Sequence, residues 1–196
     1  MVFDEDIAHG VAGCPASLAA YLEDCLDESL LMDSVFCREA HHRACVGRLV
    51  EDLNQQMSAL RLARETRDAS LTLGRRFAAL VAALHASPEL IRLAAGDEVH
   101  HAVAFGYAFG VLQIDCDLSV GAFLHQCVLN TISAAQRLLP LGQRQANRIA
   151  WELKPAILDA VVRSRDLAYS AVCSFAHLPE TASMRHPCLP TRLFVS

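Results

Sequence analysis

Between Val99 and Ile114 the sequence VHHAVAFGYAFGVLQI carries no charged side chain, and its two glycines, Gly106 and Gly110, stand four residues apart. Glycines at that spacing fall on one face of an α-helix and let a second helix approach closely. A helix with no charge on any face has to be covered, by other helices of the chain or by a partner. The spacing predicts a helix from about Glu98 to Ile114, with His100 and His101 at its entrance.

The rest of the chain repeats the helical period, and no stretch alternates like a strand. Residues 15–32 place Leu18, Leu22, Cys25, Leu26 and Ser29/Leu30 on one face, with Ser17 as a candidate cap. A second helix is predicted after Asp33 through residue 60, partly exposed because its charges are frequent. A third covers residues 61–86, with Leu71, Leu73, Phe77, Leu80, Val81 and Leu84 as its apolar positions. Ser87 and Pro88 then start a short helix ended by Gly96, by the preference for a hydroxyl at the cap and proline in the first turn. Asp117 is a candidate cap for a helix reaching about Leu138. Pro140 and Gly142 mark a tight connection, and Pro155 breaks the segment that follows, because proline lacks an amide donor. The expected fold is all-α, a single-domain bundle of about seven to eight helices over residues 1–178, followed by a partner-binding tail over 179–196 with prolines at 179, 187 and 190.

At 196 residues the chain is long enough to bury a sizeable core without a metal or a disulfide. Its hydrophobic content of 53% exceeds the usual mix at a net charge of only −5, so more apolar surface must be covered than in an average monomer. The eight cysteines are dispersed, with no CxxC pair, and read as reduced core residues. Basic residues are interspersed with acidic ones, which argues against nucleic acid. The amino-terminal MVFDEDIAHG has no basic region followed by an apolar one, so the expectation is no secretory signal and a cytoplasmic location. Residues 99–114 are short for a membrane span and 116–136 hold several polar side chains, so no membrane is expected; a membrane-associated protein built on residues 99–138 is the weaker alternative.

No phosphate loop, nucleophile elbow or zinc-protease motif is present. His41 and Cys45 share a helix face and could reach one ion, but two ligands make half of a normal site. His100 and His101, adjacent on a helix, point about 100° apart and cannot grip one ion from the same face; one is expected to face the core and the other the surface. His186 and Cys188 lie in the tail. A metal-dependent helical enzyme using His41, Cys45 and His100 or His101 is therefore a runner-up, and His100 and His101 stand as weak metal candidates. Asp115/Asp117 and Glu51/Asp52 read as caps or solvated faces. In RLARETRDAS, Arg64 and Asp68 are i, i+4 partners supporting a helix by ~0.3 kcal/mol, and the cluster reads either as a solvated, ion-paired face or as a recognition surface whose Arg forks and carboxylates meet a partner.

ARETRDAS followed by LG, then HHAVAFG, then PLGQ, and the closing TRLFVS resemble, in order and spacing from about Ser17 to Ser196, the urease accessory protein F family, UreF. The resemblance implies an all-α protein without catalytic residues and without a tightly bound cofactor, Ni²⁺ being cargo in transit. It implies assembly with a UreD/UreH-type accessory protein, a UreG-type GTPase and apo-urease, and is compatible with a homodimer. Carried over by position, the partner-binding residues are Arg64, Glu65, Arg67, Gly106, Gly142, Gln143, Arg185, His186, Arg192, Leu193 and Phe194. Val195 stands where the family usually has arginine, and Pro187 where an acidic residue is common. Family members usually begin with a segment resembling SPALPVGGFSYSQGLE, which is not found here, so the chain is expected to enter the fold part-way.

Overall fold

The computed structural model describes residues 15–171. Within them the chain forms nine α-helices: α1 (Pro15–Asp27), α2 (Ser29–Cys45), α3 (Glu51–Leu60), α4 (Arg64–Leu84), α5 (Pro88–Ala94), α6 (His101–Val111), α7 (Cys116–Leu138), α8 (Gln143–Glu152) and α9 (Lys154–Asp166), then a 3-10 turn at Tyr169–Ala171. No strand occurs among the described residues, so the expected all-α class holds. The helix number exceeds the expectation because the segment read as continuous after Asp33 is broken, while the first boundary moves from Asp33, which lies inside α2, to Glu28. Residues 46–50 separate α2 from α3, with Gly47 at φ 69°, a left-handed conformation that glycine adopts without strain. The backbone also turns at Glu28, so the first helix stops at Asp27.

The bundle is organised around the crossing of α2 and α6. The glycine strip explains the contact. A Cβ on Gly106 would lie 1.9 Å from the Cys37 carbonyl oxygen, and one on Gly110 would lie 2.6 Å from that of His41. The two backbones are in direct contact, a packing that only glycine allows at these positions. Around this pair, α4 and α5 cover α6, while α7 and α9 cover α2.

Most of helix α2 is central rather than partly exposed as its charges suggested: Leu31 through Arg38, then Ala40, His41 and Arg43, are buried, and exposure is confined to its carboxyl end at His42 and Cys45 and to α3. Its charges are tolerated because each is paired. Arg38 donates to Ser164 Oγ at 3.0 Å and the Val161 carbonyl at 3.1 Å and pairs with Asp117 at 2.8 Å, tying α2 to α7 and α9. Arg43 pairs with Glu39 and Asp52, and its guanidinium lies 5.4 Å from the centre of the Tyr169 ring, fixing the end of the described chain. Asp33 pairs with Arg61 of the α3–α4 connection.

Several caps follow from local chemistry. Ser87 accepts from the Leu90 amide at 3.2 Å, as expected of a serine before Pro88. At the next start Asp115, not Asp117, is the cap, accepting from the Leu118 amide at 2.9 Å. Asp117 is committed to Arg38 and Arg165 instead. Ser17 lies inside α1 rather than capping it. The break at Pro155 is found, with α8 ending at Glu152 and Pro155 in the first turn of α9.

Among the described residues α7 is the one helix long and apolar enough to cross a membrane by length and composition. Its Val120, Phe123, Leu124, Val128 and Ile132 are buried in the bundle core.

Candidate functional site

The third segment contains the clearest departure from periodicity. Of its expected apolar positions Phe77 and Val81 pack against the core, but Leu73, Leu80 and Leu84 do not. Helix α4 turns inward Ser70, Gly74 and Ala78, three small residues at helical spacing, and turns outward Leu73, Leu80 and Leu84, which are 47%, 56% and 78% exposed. The cause is the approach of the chain entering α6: a Cβ on Gly74 would meet the Val99 carbonyl oxygen at 2.0 Å. No large side chain fits at Gly74, and the leucines, about 100° around the helix from it, are left in solvent. Contiguous exposed apolar surface of this kind marks interaction sites in folded proteins. A second strip combines Trp151, whose ring carries the Lys154 ammonium 3.6 Å from its centre, with exposed Leu158 and Val162 on α9.

The charged block at the start of α4 divides into two roles. Arg64 is exposed and reaches Asp68 at 3.3 Å. Arg67 donates to the Arg61 carbonyl at 3.1 Å, so it also closes the α3–α4 turn, and Glu65 is half-buried in the first turn. Gly142 and Gln143 form the exposed start of α8. Gly106 sits at the α2–α6 crossing against the Cys37 backbone, which places it inside the bundle and away from any exposed surface. Arg185, His186, Cys188, Arg192, Leu193 and Phe194 lie outside the described residues.

His100 and His101 do not divide between core and surface. Helix α6 begins at His101, and His100 is its cap residue with extended backbone, so the rule of 100° per residue does not apply between them. His100 is fully buried, with Nε2 2.9 Å from Ser58 Oγ and Nδ1 3.0 Å from Ser70 Oγ, and its amide donates to Asn54. Both ring nitrogens are occupied by serine hydroxyls, which a metal ligand cannot be. His101 packs edge-on to Phe77 and Phe105 and tilted against Phe123. Among the described residues no group of three or more His, Cys, Asp or Glu side chains is arranged to hold a metal.

Burial, reinforced by the nearby Arg61 and Arg67 guanidinium groups, pushes the His100 imidazole down to about 3. The folded protein therefore holds His100 neutral while the unfolded chain protonates it near the ordinary value of 6.5. Between these values the unfolded state binds more protons, so this group's contribution to stability is full above the ordinary value and is lost as pH falls through the window. His100→Gln, which keeps a donor and an acceptor for the two serines, is expected to flatten the decline of stability below pH ~6, by up to about 1.4 kcal/mol per pH unit. Urea unfolding of both proteins between pH 4 and 7 measures it; parallel slopes would refute a neutral buried His100.

An all-helical bundle that turns a row of leucines outward presents apolar surface of the kind that helical interaction proteins use. The sequence places it more closely. The UreF family model matches residues 14–154. The chain is 33% identical over 150 residues to the urease accessory protein UreF of Picosynechococcus sp., covering 73% of this chain and 65% of that protein. It is 32% identical over 185 residues to that of Xanthobacter autotrophicus, covering 92% and 76%. With the protein of Bradyrhizobium sp. it shares 30% over 185 residues, covering 92% and 77%. The chain belongs to the UreF family. It spans 62–65% of the length of the cyanobacterial relatives it matches.

Proposed function

We propose that this chain is a non-enzymatic component of the machinery that matures urease, a helical scaffold that binds a UreD/UreH-type accessory protein and a UreG-type GTPase during nickel delivery to apo-urease. Family membership supports urease maturation as the setting, and a cytoplasmic location goes with it. The carrying observation is the outward row Leu73, Leu80 and Leu84 on α4, large apolar side chains that the fold cannot turn inward. Protein contacts concentrate their energy in a few such anchors within a polar rim, and Arg64, Asp68, Arg75 and Arg76 supply exposed charges on the same helix. Nickel is cargo in this scheme.

The test is co-purification of the full chain with a UreD/UreH-type protein, with and without a UreG-type GTPase. Stoichiometric co-elution is expected, reduced at least tenfold in apparent affinity by Leu80→Glu with Leu84→Glu, about what the loss of a hot spot costs. Because both leucines are solvent-exposed, the helical circular dichroism and the unfolding midpoint should not change. A wild-type chain that co-elutes with neither partner would overturn the proposal, and undiminished binding by the double variant would remove the α4 face from it.

A further inference from the structure

Where the carboxyl end of α2 meets the α6–α7 connection, a cavity of about 410 Å³ has His41, Cys45, Glu89, Ile114, Asp115 and Cys116 in its lining. Cys45 is the exposed cysteine among the described ones. Its Sγ lies 3.8 Å from His41 Nδ1, one helical turn back. The histidine itself is buried, and its Nε2 is 2.7 Å from the Ile114 carbonyl oxygen. A carbonyl only accepts, so Nε2 carries the proton of the neutral ring, and Nδ1 is left with a lone pair facing the thiol. A nucleophile, a base and a group that orients the base are thus in place.

We infer that Cys45 is a reversible thiol-modification site, with His41 as its proton acceptor, and that it takes small disulfides bearing amino groups. Its thiol proton passes to His41 Nδ1, and the sulfur attacks one sulfur of the disulfide R–S–S–R. The new Cys45 Sγ–S bond forms as the S–S bond breaks, and the departing thiolate takes the proton back from Nδ1 to leave as RSH. The disulfide is the oxidant, and excess RSH reverses the exchange. Selection for amines follows from the lining: Glu89 and Asp115 contribute carboxylates, while no arginine or lysine is among the lining residues. An ammonium-bearing group is attracted there and a carboxylate-bearing one repelled.

Of the other described cysteines, Cys37, Cys127 and Cys116 are less suited. Burial pushes the Cys37 and Cys127 thiols far up. Cys116 has a histidine neighbour too, His42 Nε2 at 3.6 Å, and accepts from Arg38 Nη1 at 3.4 Å, but it is half-buried, and burial raises its thiol although Arg38 pulls it down.

The test uses the full-length chain, native and in urea, treated with cystamine or with oxidised glutathione, the adducts being assigned to individual cysteines by peptide mass spectrometry. In the native wild type Cys45 is expected to be thiolated at least tenfold faster than Cys25 or Cys116. Its preference for cystamine over glutathione disulfide should exceed that of the urea-unfolded chain by at least threefold. His41→Gln, whose amide can still donate to the Ile114 carbonyl, should slow Cys45 by at least tenfold, a modest share of what a positioned base contributes. A native Cys45 no faster than Cys25 overturns the inference without recourse to any variant. So does an unchanged rate in a folded His41→Gln protein, and equal selectivity in native and unfolded chains overturns the preference for amines.

Discussion

Replacing Gly106 by alanine is expected to cost about 3 kcal/mol of stability, the upper end of the range for overpacking, and to lower the melting temperature by roughly 6–12 °C for a chain of this size. One methyl group produces so large an effect because of what it meets. It would lie 1.9 Å from the Cys37 carbonyl oxygen, an atom of the facing backbone that no rotamer change can move. The two central helices have to separate, and every side chain interdigitated along α2 and α6 loses contact. The control is Gly121→Ala on α7, where the nearest atom to a new Cβ is a Val161 methyl at 3.7 Å. There alanine should be neutral or stabilise by up to ~1 kcal/mol, since glycine is the poorer residue in a helix interior. Thermal unfolding of the two variants side by side measures the difference; similar effects would show that the α2–α6 backbone contact is absent.

Arg61→Met is expected to be comparably damaging, at about 3–5 kcal/mol near neutral pH, because it strands a buried carboxylate. Asp33 and Arg61 pair at 2.5 Å with side chains only 13% and 14% exposed, and the Arg61 Nε is itself buried without a hydrogen-bond partner. Burial already holds the Asp33 carboxyl above its ordinary value of 3.8, against the opposing pull of Arg61. A carboxyl that binds its proton more tightly folded than unfolded makes stability fall as pH rises through that window. Without Arg61 the carboxyl rises further, so the deficit of Arg61→Met relative to the wild type should shrink as pH is lowered toward 5. Asp33→Leu combined with Arg61→Met should recover much of the loss, as apolar replacements of buried ion pairs often do. Urea unfolding at pH 5 and pH 7 gives both readouts. A loss that is independent of pH and unrelieved by the second substitution would show that Asp33 is not the source.

These two sites differ in how much of them was legible. The close contact at Gly106 and Gly110 was written in the spacing of two glycines within an uncharged run, and the structure adds only which backbone they touch. The Asp33–Arg61 pair had no local signal, since the two residues are 28 positions apart and each also suits a solvated surface. The same holds for His41 and Cys45. Their shared helix face was visible, but the Ile114 carbonyl that fixes the histidine tautomer comes from a connection 73 residues away. Burial of α2 was missed for a related reason. A helix enclosed over most of its length has no continuous polar face to set its period, and its paired arginines look like solvated ones until the partners from α3, α7 and α9 are in place.

The sequence by itself determined the all-α class, the Ser87 and Pro88 helix start, the break at Pro155, the glycine-mediated helix crossing and the resemblance to UreF. Each of these depends on residues close together in the chain or on the order of short blocks, so no tertiary contact is needed to express it. Only the tertiary structure decided which face of α4 is inside. Periodicity offered Leu71, Leu73, Phe77, Leu80, Val81 and Leu84 as its apolar positions, yet the fold turned Ser70, Gly74 and Ala78 inward, kept Phe77 and Val81 half-buried against the core and left Leu73, Leu80 and Leu84 in solvent, because the Val99 backbone leaves no room for a larger side chain at Gly74. Hydrophobic pattern identifies residues that gain by leaving water, and close packing between distant segments selects which of them can do so within one chain.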